Sequence, residues 1–401
     1  MADSARAPTI TRAQIGNYEV VRKLATGGMG EVYLAHQTGP VDFRRQVVLK
    51  KLHPRYSTDP QFVTMFLNEA RIAANLAHPN IIHIYELFDD GEGYVIAMEY
   101  VRGATVLSLV RALGASGTYG LPLGPLVRIA ISVCDALYYA YNEPDADGAP
   151  RHVIHRDVSP SNVLVSFDGQ VKLVDFGIAK ALVGDVVTHA TTIKGKYGYL
   201  TPEQIRCQAL DQRSDLFSLG TMMWEMSVGK RLFQRENEMQ MMYAILEEPI
   251  PLPSQHLADY PKDLERVVMK ALARDRDSRY ADASALADDL RAVARDHGWE
   301  LEKAELSKLV KSALPDDQIA FGQIGSDPSF NRTPSRRRDT ESGGWVEDDS
   351  FASMVVIDAA AAATRGARAS SWWARETLVA IAVLIALSAV FWLWIVPSID
   401  P

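Results

Sequence analysis

Residues 163–175 constrain this chain more than any other stretch of it. Two short apolar runs, 163–165 and 171–174, flank Asp168-Gly169, and β-favouring residues around an Asp-Gly pair predict a tight hairpin. His155-Arg156-Asp157 and Asn162 stand just before it, and Asp175-Phe176-Gly177 just after. A hairpin brings the chain back to its start, so Asp157, Asn162 and Asp175 are spaced to converge at its open end. Acceptor oxygens gathered in this way suit a hard cation such as magnesium, which binds through a few protein oxygens and a nucleotide's phosphates. Singly, each of these polar residues is more often a turn former. All of them in this order is hard to attribute to turns.

Upstream, residues 24–34 hold Gly27, Gly28 and Gly30, with Val32 and Tyr33 continuing as an apolar, β-favouring stretch. Glycines here let backbone amides approach phosphate oxygens without side-chain obstruction, although a glycine-rich hairpin alone is only a turn signal. The next strand, 46–52, presents Lys50 after Val47, Val48 and Leu49. In the succeeding helix, Phe62, Met65, Phe66, Ile72, Ala73 and Leu76 form an apolar stripe at helical spacing, and Glu69 lies on it. A buried carboxylate without a partner costs several kcal/mol, so Glu69 needs a cation and Lys50 is the candidate. At the stripe's edge it would find water instead.

In this order and these contexts the segments resemble a eukaryotic-like protein kinase of the bacterial type, over residues 18–295. The resemblance implies an α+β, two-lobed fold with a small β-rich lobe and a larger helical one. It also implies a serine/threonine protein kinase using ATP with Mg2+, or Mn2+ in its place, and acting on protein substrates. Carried over residue by residue, Gly27, Gly28 and Gly30 resemble the phosphate-covering loop, with Leu24, Ala25, Val32, Val48 and Leu164 around the nucleotide. Lys50 would hold the α- and β-phosphates, paired with Glu69, and Met98, Glu99 and Val101 fall where the family's hinge meets the adenine edge. Asp157 resembles the base that takes the substrate hydroxyl's proton, and Asn162 and Asp175 the magnesium ligands. Glu203, closing the activation segment, has Arg279 as its implied ion-pair partner, and Asp215 resembles the aspartate that supports the catalytic loop. Arg156 implies control by phosphorylation of the activation segment, with Thr188, Thr191 and Thr192 as candidates and Thr191 or Thr192 preferred.

Two departures from the family pattern matter. Ala25 replaces the first loop glycine, with little expected loss. Ser159 stands where serine/threonine kinases of this family carry a lysine on the γ-phosphate, while Lys196 occupies the place of a threonine that contacts that lysine. An exchange of the pair, with Lys196 supplying the missing charge, is one expectation; a solvent-facing Lys196 is the other. A pseudokinase scaffold that binds ATP without transferring phosphate is the rival function, and Ser159 is its main support. Tyrosine specificity is disfavoured because Pro160 followed by Asn162 resembles the serine/threonine loop.

The rest of the chain sets the surroundings. The formal net charge of −8 comes from well-mixed signs with no long basic block, which argues against nucleic acid as a partner. Cys134 and Cys207 are the two cysteines, in no metal-ligand spacing. Beyond a polar extension over 1–17 and the domain over 18–295, a helical extension is expected over 296–314 and a flexible juxtamembrane linker over 315–376. Residues 377–396 carry no charge and twelve Leu, Ile, Val or Phe, enough for a membrane-spanning helix. Arg365, Arg368 and Arg375 precede this span, placing the main domain on the cytoplasmic side of the inner membrane and a tail, 397–401, outside it. A homodimer through the span rests only on Ala382, Ala386 and Ala389.

Overall fold

β4 (Arg44–Leu52) shows how the pattern of the chain becomes a lobe. Its Val47 and Leu49 enter one apolar cluster with Ile15, Tyr18, Ala35, Val95 and Ala97, whereas Val48 and Leu52 enter the large core on the opposite face. Lys50 falls by alternation on the side of Val48 and Leu52, and Lys51 on the other, where it meets Asp90 at 2.6 Å and Glu92 at 2.7 Å. That alternation, rather than charge, decides which of the two lysines faces the site.

The computed structural model describes residues 13–27, 30–41, 43–118, 120–144, 148–177 and 197–314. β1 (Gln14–Ile15), β2 (Tyr18–Thr26), β3 (Gly30–Thr38), β4, β5 (Ile84–Asp89) and β6 (Tyr94–Glu99) form one antiparallel sheet in the order β1-β2-β3-β4-β6-β5. After β4 come α1 (Pro54–Ser57) and α2 (Pro60–Ala74), the latter started by Asp59, whose side chain accepts from the Gln61 amide, and by Pro60 in its first turn. α2 buries Met65, Phe66, Ala70 and Ala73 and packs on β5 and β6. Phe62 and Ile72 sit at the margin of that face rather than within it; Phe62 stacks on Tyr56 at 4.2 Å instead.

The second lobe begins with β7 (Gly103–Thr105), which joins β8 (Val163–Ser166) and β9 (Val171–Leu173) in a three-stranded sheet of order β7-β8-β9. Between β7 and β8 run α3 (Val106–Ala115) and α4 (Leu123–Asn142). Among the described residues α4 alone is long and apolar enough to cross a membrane, but most of it is buried in the core of this lobe. The expected span over 377–396 and the linker before it lie outside the described residues.

Among the described residues the remaining α-helices are α5 (Pro202–Ile205), α6 (Gln212–Val228), α7 (Glu238–Leu246), α8 (Lys262–Ala271), α9 (Ala283–Asp296) and α10 (Lys303–Ala313). α6 is buried on every side from Ser214 to Val228, which explains its lack of a polar face. α9 packs on α4 and α8, and α10 packs on α3, α4 and β8.

Candidate active site

The hairpin forms where the chain predicts it, and it sets the site. Val163 pairs with Leu173 and Val165 with Val171, while Gly169 makes the turn at φ 79°. At the open end the Val174 amide donates to the Asn162 carbonyl at 2.9 Å, so the two arms stay locked beyond the strands. Asn162 is buried, and its side-chain amide donates to both the carbonyl and the Oδ2 of Asp157, each at 2.8 Å. With both N–H groups committed there, the Asn162 Oδ1 is left as an acceptor.

His155 ties the loop to the hairpin. Its Nε2 lies 3.1 Å from the Val174 carbonyl, which can only accept, so Nε2 carries the proton and Nδ1 accepts the Asp157 amide at 3.3 Å. The His155 carbonyl accepts from the Gly177 amide at 2.8 Å, and its ring lies 4.7 Å from that of the buried Phe176. From beneath, Asp215 of α6 accepts the His155 and Arg156 amides, both at 2.7 Å. Burial pushes the Asp215 carboxyl up to about 7, with nearby Asp157 adding to the rise and the two amides and Arg156 opposing it.

From the first lobe, Lys50 Nζ donates to Glu69 Oε1 at 2.7 Å and to Asp175 Oδ1 at 2.8 Å, so one ammonium joins α2 to the residue just past the hairpin. Burial by itself would lower the Lys50 pKa, but the Asp175 and Glu69 carboxylates outweigh it and hold it well above the ordinary lysine value. Burial raises the pKa of Glu69 against the pull of Lys50. Asp175 has φ 56°, a strained conformation for a residue with a side chain.

Leu24, Val48, Met98, Val101 and Leu164 belong to one apolar cluster that runs across both lobes, with Val32 packed against it. Gly27 closes the first turn through its amide on the Gly30 carbonyl at 2.8 Å; Gly28 lies outside the described residues. Gly30 has a packing reason to be glycine besides phosphate approach, since a Cβ there would fall 2.4 Å from the Lys51 carbonyl oxygen. Ala25 continues β2 opposite Val32. Ser159 is buried with its hydroxyl 3.0 Å from that of Ser161. Lys196, Thr188, Thr191 and Thr192 lie outside the described residues.

Glu203 and Arg279 meet as an almost fully buried pair at 2.6 Å, and Arg279 also donates to the carbonyls of Ala273, Arg213 and Arg274. One ion pair at the site is not announced by the sequence. Lys172 of β9 reaches Glu99 Oε2 at 2.8 Å, tying the expected hinge to the hairpin. Its signal is faint: a lysine within a strand of apolar residues, with no spacing rule linking it to residue 99.

Oxygen donors from Asn162 and Asp175, beside a fixed ammonium and a carboxylate held by an amide, fit a magnesium–nucleotide. Residues 18–290 match the protein kinase domain family. The chain belongs to that family. This kinase is 42% identical over 283 residues to the tyrosine-protein kinase MasK of Myxococcus xanthus, covering 70% of this chain and 44% of that protein. It is 32% identical over 278 residues to the serine/threonine-protein kinase PrkC of Bacillus subtilis, covering 69% and 40%. It is 34% identical over 355 residues to the serine/threonine-protein kinase PknB of Mycolicibacterium smegmatis, covering 85% and 53%. The chain thus spans about half the length of the curated relatives it matches. Among solved structures, the Mycobacterium tuberculosis PknI kinase domain superposes with a TM-score of 0.53 at 26% identity, covering 71% of this chain and 99% of that one. The β-rich and helical lobes are therefore those of the protein kinase fold.

Proposed function

We propose that this kinase transfers the γ-phosphate of ATP to serine and threonine hydroxyls of cytoplasmic proteins and to its own activation segment. The observation that carries the reading is the Asp157 carboxylate held by the Asn162 amide at 2.8 Å, at the hairpin end where Lys50 also binds Asp175. Asp157 accepts the proton of the attacking hydroxyl, and Asn162 keeps its carboxylate turned toward that task. Lys50 stays protonated at any working pH and presents a fixed positive charge to the phosphates. Asn162 and Asp175 would hold magnesium, which when bound neutralises charge on the β- and γ-phosphate oxygens. Lys196 would add the cation that Ser159 does not provide.

Residues 377–396 would anchor the kinase in the inner membrane with its catalytic part in the cytoplasm. Fractionation of cells that express the chain with and without this segment tests the anchor, and recovery of the intact chain in the soluble fraction would refute it. A tyrosine-directed activity is the second reading, favoured by the identity with MasK; Pro160 before Asn162 favours serine and threonine.

Radiolabelled ATP supplied to the purified chain, alongside Asp157→Ala, tests the function through phosphoamino-acid analysis. Phosphoserine or phosphothreonine that disappears in the variant supports the proposal, and phosphotyrosine supports the second reading. Nucleotide binding with no transfer makes the protein an ATP-binding scaffold.

A further inference from the structure

The match to the protein kinase domain ends at residue 290, and α10 lies beyond it. We infer that α10 is a brace for the nucleotide site, holding the closed end of the hairpin whose open end carries Asn162 and Asp175, with Ser307 and Leu306 as its positioning residues. The inference rests on the kinase reading and extends it to a segment outside the family's domain.

The contact is close and specific in its geometry. A Cβ on Gly169 would lie 1.9 Å from the Lys303 carbonyl oxygen, so the first residue of α10 rests directly on the turn of the hairpin. One helical turn on, the Ser307 hydroxyl donates to the Phe167 carbonyl at 2.6 Å. The Phe167 amide in turn donates to the Arg102 carbonyl at 2.9 Å, just past the hinge residues 98–101. Phe167 therefore ties the hinge exit on one side and α10 on the other. Leu306, Val310 and Leu314 are buried beneath the helix, so the docking is apolar as well as polar.

The hairpin needs such support. Its strands have four and three residues, and a hairpin of that size is marginal unless a further strand or a helix packs on it. β7 supplies the strand, while α4 packs on β9 and α10 on β8. Extended arms are stiff, and the bond between Val174 and Asn162 locks them at the far end. A shift at the turn is thus passed to the metal-binding side chains, and through Arg102 to the hinge.

Two readouts on the full chain test the brace: amide hydrogen exchange of residues 163–174 without nucleotide, and KM for MgATP against KM for casein supplied as a generic protein substrate. The variants are Leu306→Asp, Ser307→Ala and Ser307→Thr, the last keeping the donor. Loss of the Ser307 bond should raise exchange at the turn and KM for MgATP about fivefold, with KM for the protein substrate unchanged and the threonine restoring both. Leu306→Asp should do more in both readouts. The inference is overturned if Leu306→Asp exposes the amides of α10 yet leaves hairpin exchange and KM for MgATP at wild-type values. Should that variant not fold, Ser307→Ala decides alone, and wild-type exchange and KM in it overturn the brace. If the wild-type chain transfers no phosphate, the kinase reading fails, while hydrogen exchange at the hairpin still judges the brace.

Discussion

Arg156 has φ 67°, in the left-handed region where a long side chain is strained, and the Asp215 carboxylate on its amide holds it there. Asp215 does this from a buried position that lifts its pKa from the ordinary 3.8 to about 7. The folded chain therefore binds this proton more tightly than the unfolded chain. The stability tied to it is fully present below about pH 4 and is lost as pH rises through about 7. The stability gap between wild type and the non-titrating Asp215→Asn should be about 1 kcal/mol larger at pH 6 than at pH 8, as read by urea unfolding. A gap independent of pH would mean that Asp215 stays ionised throughout. Function runs the other way, because a protonated Asp215 is a poorer acceptor for the two loop amides. Turnover should thus fall on the acid side of pH 7 while stability rises. Ser159 raises a separate question of charge. With its hydroxyl engaged by Ser161, it offers no cation to the transferring phosphoryl group. Lys196→Ala should therefore lower kcat about a hundredfold with nucleotide affinity unchanged, and Ser159→Lys with Lys196→Thr should recover it. A loss of only a few-fold in Lys196→Ala would leave that lysine facing solvent.

At the scale of elements, short-range periodicity is what makes structure legible in the sequence. The hairpin around Asp168-Gly169 and the pairing of Lys50 with Glu69 each rest on a spacing that a strand or helix imposes. The Lys172–Glu99 pair and the docking of α10 rest on contacts between residues far apart in the chain, with no local period to announce them. Phe62 and Ile72 show the limit of periodicity itself. Their spacing fits the stripe, but α2 turns a narrower face to the sheet. The Glu203–Arg279 pair joins α5 to the loop before α9 and allows an asymmetric prediction. Arg279→Ala leaves the buried Glu203 carboxylate with the Ser214 hydroxyl at 3.3 Å but no cation, and removes the donor of three backbone carbonyls, so it should cost about 3–5 kcal/mol. Glu203→Ala leaves the guanidinium with those three acceptors and should cost clearly less. Equal losses in urea unfolding would show that the carbonyl bonds contribute nothing.

Across the whole molecule, the Lys50 ammonium links the lobes at the nucleotide site: from β4 it holds Glu69 of α2 and Asp175 at the end of the hairpin. A nucleotide that binds Lys50 from one lobe and Asn162 and Asp175 from the other must therefore stabilise both lobes as one unit. Ligand at about a hundred times its Kd should add about 2.7 kcal/mol to the unfolding free energy. Lys50→Met has a lower baseline, since it leaves the Glu69 carboxylate buried without its cation, so the quantity to compare is the increment produced by MgATP. That increment should largely vanish in Lys50→Met. In Asp157→Asn it should persist, because the amide oxygen still accepts from Asn162 and, on the proposed mechanism, the changed group serves the incoming hydroxyl rather than the nucleotide. Thermal unfolding of the three proteins with and without MgATP separates these roles. An increment lost equally in both variants would mean that Asp157 helps to hold the nucleotide, and the division of labour between the lysine and the base would have to be abandoned.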